Sequence, residues 1–169
     1  MKAIARASWD VFTLRGGPQA FPREWAPFTL VVAVYLVSDA VSFLAQGLGA
    51  TAIAEETTFD FGLQVLYFVL VLAAKFNLPR LRQSLAAWFG AGVILNLLAT
   101  PVNLGAFLSK ADWAQEFWFV LTCLLIAWSM AVMAQVLRYA LEIGLAFSLI
   151  VAAVYTFAST VVFIGLFPG

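Results

Sequence analysis

Histidine is absent from these 169 residues, cysteine occurs once, and charged residues make up only 11%. Without imidazole there is no histidine ligand for haem or zinc, and no histidine-based triad or proton relay. The single Cys123 excludes an intrachain disulfide and any multi-thiolate metal site. Its place well inside an apolar run suits a small hydrophobe. Charge this scarce cannot coat a water-facing surface, since ordinary globular chains carry roughly 25%. A net charge of zero argues against a nucleic-acid partner. No HExxH, GxSxG, Walker or CxxC pattern occurs. Gly47-x-Gly49 and Gly90-x-Gly92 lack the strand–turn–helix setting of a phosphate loop. On these grounds no catalytic residue, no metal and no other cofactor is expected.

What the chain has in abundance is apolar surface. Hydrophobic residues are 64% of it and the mean hydropathy is +0.99, so most of it belongs in lipid. A helix needs about 20 predominantly apolar residues to cross the hydrocarbon layer, and five stretches qualify. They run near 26–46, 59–76, 84–104, 113–137 and 141–167. The runs are unbroken, whereas a β-barrel would alternate in segments of about ten residues. Short connections make sequence neighbours antiparallel neighbours. The expected fold is all-α: a polytopic membrane helical bundle of five transmembrane helices at 26–169, preceded by a cytoplasmic or interfacial segment at 1–25.

Orientation follows from Lys and Arg, which cytoplasmic loops retain. Lys2, Arg6, Arg15, Arg23, Lys75, Arg80, Arg82 and Arg138 fall on one side, eight of the nine basic residues. Lys110 stands alone on the other side with Glu55, Glu56, Asp60, Asp112 and Glu116. The N-terminus is therefore expected in the cytoplasm and Gly169 outside, in a bacterial inner membrane. The first span reads as a retained anchor, because 25 mixed residues precede a run of full spanning length.

Before that span, Lys2, Arg6 and Asp10 recur every four residues, while Ile4, Ala7, Val11 and Leu14 occupy another face flanked by Trp9 and Phe12. This pattern predicts a basic amphipathic helix lying in the bilayer interface, with Lys2, Arg6, Trp9 and Phe12 as interfacial contacts. Gly16-Gly17-Pro18 is expected to end it. The segment either anchors the bundle on anionic lipid or docks a partner.

Asp39 carries the greatest cost. A carboxylate well inside a span costs roughly 2.5–3.5 kcal/mol even on insertion scales. Tyr35, Asp39, Ser42 and Gln46 share one helical face, and Gly92, Asn96, Thr100 and Asn103 form a matching stripe in the third span. Tyr155, Thr156 and Ser159 of the fifth span and Gln64 and Tyr67 of the second fall near the same depth. The expected intramembrane polar cluster comprises Tyr35, Asp39, Ser42, Asn96, Thr100 and Tyr155. It either fixes helix register or lets Asp39 titrate or bind a cation. With Asp39 read as the one deep carboxylate, the first alternative leads.

In the fifth span every fourth residue is small: Gly144, Ser148, Ala152, Thr156 and Thr160. Such a stripe lets another helix approach closely, either within the bundle or in another subunit. Pro101, after Thr100, is expected to kink or unwind the third span near its outer end. Trp25, Trp88, Trp113 and Trp118 fall towards span ends, as aromatic belts do.

The stretch Arg15–Trp25 (RGGPQAFPREW) leads into five spans with hardly any extracytoplasmic mass. This layout resembles the bacterial members of the Yip-domain family. The resemblance implies a five-helix inner-membrane protein that acts by interaction and not by catalysis; eukaryotic members are associated with membrane trafficking and small-GTPase partners. It extends over the chain in layout and carries across no site residue. The expected function is a non-enzymatic accessory or interaction subunit, whose partners are the bilayer and other membrane subunits or a second copy. The alternative is a small transporter or channel centred on Asp39 and Asn96.

Overall fold

The computed structural model describes residues 1–166; Phe167 and Gly169, expected at the end of the last span and beyond it, lie outside the described residues. It is all-helical over those residues. Helix α1 (Lys2–Phe12) precedes α2 (Trp25–Leu44), α3 (Ala50–Ala74), α4 (Leu81–Leu108), α5 (Asp112–Leu141) and α6 (Leu145–Leu166). Helices α2 to α6 are each long and apolar enough to cross a membrane. The helix ends near Lys75, Arg80, Arg82 and Arg138 form the basic end of the bundle.

The second span departs most from its expected bounds. It begins at Ala50 and not near Phe59, so Glu55 and Glu56 lie on α3 and not in a loop, and Asp60 sits well inside the helix instead of at its start. Three carboxylates within six residues lower hydropathy enough to hide a helix that its polar face then accommodates. The left-handed turn after α1 falls on Leu14 (φ 61°), while Gly17 is extended. Likewise α4 runs through Pro101 without ending. Pro101 cannot donate to the Leu97 carbonyl, and next to it the Thr100 hydroxyl donates to the Asn96 carbonyl at 2.7 Å.

Helix α4 is the hub. Half of its spanning window is buried, against at most 22% in any other span. It packs on α1, α2, α3 and α5, while α6 lies against α5. Lipid tails are as apolar as leucine, so hydrophobicity does not draw these helices together; close van der Waals packing does. Small residues permit it: Ser84, Ala86, Ala87, Gly90, Ala91 and Gly92 are all buried on α4. A methyl on Gly92 would sit 2.8 Å from the Tyr35 ring of α2. Helix α1 docks where Gly90 leaves room for Ser8, and Ala7, Ser8 and Val11 are buried.

Packing is uneven along the membrane normal. At the basic half, residues 84–92 of α4 and 132–137 of α5 are buried without exception. With Phe68 and Leu72 of α3 they make a dry, filled layer. Towards the other end α5 exposes Phe117, Phe119, Val120 and Leu124.

The stripe on α6 is used within the chain in part. Ser148 and Ala152 are fully buried, Thr156 is half-buried, and Thr160 and Gly144 are exposed.

Close α4–α5 approach is sensitive to volume at Gly105, where a side chain's first carbon would overlap the Trp118 ring. That ring is held by its indole N–H, which donates to the Ser109 hydroxyl at 2.8 Å. Gly105→Val should therefore destabilise the bundle by about 1–3 kcal/mol, read as a lower thermal midpoint in detergent. Gly62→Val, at a position open on all sides, serves as the control and should shift the midpoint far less.

Candidate functional site

Four polar stripes meet inside the bundle. Tyr35, Asp39 and Ser42 of α2 are buried against the α4 stripe. The Asn96 amide donates to Asp39 Oδ1 at 3.3 Å and to the Ser38 hydroxyl at 3.3 Å. One turn further out, the Asn103 amide donates to Ser42 Oγ at 3.0 Å. Gln46 is exposed and only reaches back to the Ser42 carbonyl.

Helix α3 supplies the part that hydropathy concealed. The Tyr35 hydroxyl donates to Asp60 Oδ2 at 3.0 Å. The Gln64 amide donates to the same carboxylate oxygen and to Tyr35 Oη at 2.7 Å. Gln64 Oε1 in turn accepts the Trp88 indole N–H. Three helices are thus joined through one glutamine. Asp60 is a second deep carboxylate, which corrects the expectation of one. Counted from the basic ends, Asp39 lies fourteen residues from Trp25, Asp60 fourteen from Ala74, and Asn96 fifteen from Leu81. All three therefore sit about 21 Å in, at 1.5 Å per residue. The spacing Glu56, Asp60, Gln64, Tyr67 (four, four, three) is the signal that reveals them.

Around this level open clefts run between the helices. A cavity of about 310 Å³ is lined by Tyr35, Asp39, Asp60, Gln64, Asn96 and Asn103, among others. A second of about 200 Å³ shares Asp60, Gln64 and Trp88 with it and extends to Tyr155, Thr156 and Ser159 of α6. A third, of about 250 Å³, continues from Asp60 to Ser159 and Thr160. Tyr155 lines the second of these with its ring tilted against Tyr67, centroids 4.4 Å apart, and the Tyr67 hydroxyl donates to the Val151 carbonyl at 3.0 Å. Thr100 is the expected cluster member that does not join: its hydroxyl is spent on its own helix.

Among the described residues two buried side-chain atoms lack a hydrogen-bond partner, Asp39 Oδ2 and Thr57 Oγ1, and the first lies in this site. Asp39 is only 6% exposed, yet its Oδ2 has no hydrogen-bond partner. Unsatisfied buried polar atoms are rare because each costs about 1–3 kcal/mol, more if charged. The linings of the three joined cavities contain two carboxylates, hydroxyls and amides, but neither Lys nor Arg.

The segment before α2 is tied to the basic half. Trp128 Nε1 donates to the Phe12 carbonyl at 3.2 Å, and the Phe12 ring meets Trp128 edge-on at 6.0 Å. Lys2 and Arg6 are exposed and Trp9 is half-exposed. Cys123 is exposed on α5.

No protein-family model, curated protein or solved structure matches this chain.

Because Gln64 serves Asp60, Tyr35 and Trp88 at once, Gln64→Leu leaves several buried groups unpaired. A loss of about 1–3 kcal/mol is expected, seen as a depressed thermal midpoint in detergent. Gln46→Leu, at an exposed position, should leave the midpoint nearly unchanged. Equal midpoints for the two variants would contradict the network's structural weight.

Proposed function

We propose that this chain is a small integral protein of the bacterial inner membrane, with its basic end in the cytosol, that passes or exchanges protons or a small monovalent cation through the chamber between Asp39 and Asp60. The observation that carries this reading is the pair of carboxylates at one depth within a hollow that offers no basic side chain. In a low-dielectric interior, anions are neutralised by a proton or a cation, since isolated charge there is prohibitively costly. Intramembrane carboxylates around a cavity are the usual apparatus of ion and proton paths. Asp39 Oδ2, without a protein partner, is the position a proton or cation would take.

The dry layer formed by Phe68, Leu72, Phe89, Met133 and Leu137 closes the basic side of the chamber. That arrangement suits a carrier caught facing the opposite side, because alternating access requires one closed end at a time. An accessory-subunit role, as the Yip-like layout suggests, requires the small stripe of α6 and α1 to be free for partners. Ser148 and Ala152 are buried in the bundle and α1 is docked on α4, so less of either surface is left for a partner. The remaining exposed basic and aromatic residues of α1, Lys2, Arg6 and Trp9, fit the interfacial contact with anionic lipid.

Proteoliposomes loaded with a pH-sensitive dye and given a potassium or proton gradient provide the test. Flux through the parent protein should fall by about tenfold or more in Asp39→Asn and in Asp60→Asn. Either no flux from the folded parent, or flux untouched by both substitutions, sinks the transport reading. Orientation is checked separately in a Cys123→Ser background. Glu24→Cys should react with an impermeant maleimide only after cells are opened, and Ala111→Cys in intact spheroplasts; the reverse pattern would invert the topology.

A further inference from the structure

A separate cavity of about 380 Å³ lies at the basic end, away from the chamber, and three guanidinium groups line it: Arg23, Arg80 and Arg138. Three pieces of chain build it, namely the loop before α2, the link into α4, and the link from α5 to α6. Each piece is pinned. The Gln83 amide donates to the Phe21 carbonyl at 2.8 Å, and the Gln135 amide donates to the Leu14 carbonyl at 3.0 Å. The Asn77 amide donates to the Ala140 carbonyl at 3.3 Å. Gly17 packs so closely that a methyl there would sit 2.7 Å from the Tyr139 ring. This is a constructed recess and not a gap between loose loops.

Its charge is unbalanced. Arg80 is paired with Glu142 and donates to the Tyr139 carbonyl at 3.1 Å, so it is held as part of the wall. Among the described residues Arg23 and Arg138 have no carboxylate partner. Arg138 lies over the Tyr139 ring, 5.6 Å from its centroid. Glu142 is the one acid in the lining, which leaves two positive charges uncompensated. Guanidinium forks match the oxygens of a phosphate, and their weak hydration favours such pairing over an ammonium's. A volume of this size suits a small ligand or head group. The recess lies where α4 and α5 reach their basic ends, at Leu81 and Leu141, and the ends of membrane-spanning helices meet the head-group layer.

From this we infer that the recess between Arg23, Arg80 and Arg138 binds a phosphate group, with Arg23 and Arg138 as its principal ligands and Arg80 as the fixed wall. An anionic phospholipid head group and a soluble phosphate present the same chemistry to these guanidinium groups. The inference is independent of transport through the chamber.

The full-length protein, purified in a zwitterionic detergent, separates the two sources. Native mass spectrometry after adding phosphatidylglycerol or phosphatidylcholine reads the lipid arm. Thermal stabilisation by inorganic phosphate, against chloride at equal ionic strength, reads the soluble arm. Retention of phosphatidylglycerol over phosphatidylcholine, or stabilisation by phosphate, is expected. The response should weaken about tenfold or more in Arg23→Gln/Arg138→Gln and persist in Arg15→Gln, which lies outside the recess. Should the double variant fold poorly, Arg23→Gln and Arg138→Gln alone carry the same test. Absence of both responses in the folded parent overturns the proposal, as does a response that Arg15→Gln weakens equally.

Discussion

Inside hydrocarbon a polar atom has no water to fall back on, so each must be satisfied by the protein or bear a cost of several kcal/mol. That requirement organises this bundle more than apolar attraction does. Gln64 answers it for three side chains on three helices, through the hydroxyl of Tyr35, the carboxylate of Asp60 and the indole of Trp88. Once those bonds are made, rotation of α2, α3 or α4 by one residue would strand a buried donor or acceptor. The network therefore sets register, and the small residues of α4 then allow the backbones near enough for the bonds to form. Asp39 marks where the requirement is not fully met, since Asn96 reaches one of its oxygens and nothing reaches the other.

The same bundle has two characters along its length. Near the basic end, large side chains such as Phe68, Phe89 and Leu137 are completely enclosed, and α1 adds a further layer over α4. Around Asp39 and Asp60 open clefts replace that filling. A site needs both parts: a rigid floor that keeps the carboxylates at one depth, and an open region through which something small can approach them. The arginine-lined recess at the basic end lies beyond that floor, which separates it from the chamber.

Much of this architecture is legible in the residues. Five spans follow from apolar length alone, and the facing stripes of α2 and α4 follow from spacings of three and four. Asp39 and Asn96 meet because both stripes start from the same side and reach the same depth. Asp60 is harder to read. Glu55, Glu56 and Asp60 depress local hydropathy and put the expected start of the span at 59, which leaves Asp60 at its edge, although Glu56, Asp60, Gln64 and Tyr67 repeat at helical spacing. Periodicity carried the information that average hydropathy removed. For the α6 stripe, spacing indicates a close neighbour but not whose helix it is; burial of Ser148 and Ala152 within the chain answers half of that. Hollows are not legible at all, because empty volume depends on how helices tilt and not on which residues they carry.

The central place of α4 bears on how the protein is made. Its packing partners α2 and α3 emerge from the ribosome first, and they bring Asp39 and Asp60 before Trp88 and Asn96 exist. During that interval the Asn96 amide and the Trp88 indole are missing from the network, and the two acids would face lipid or one another. Assembly must therefore shelter the early hairpin, at the insertion machinery or in protonated form, until the third span arrives. Nascent-chain length would then divide biogenesis into a vulnerable period that ends only when residue 103 has left the ribosome and both Asn96 and Asn103 have entered the bilayer.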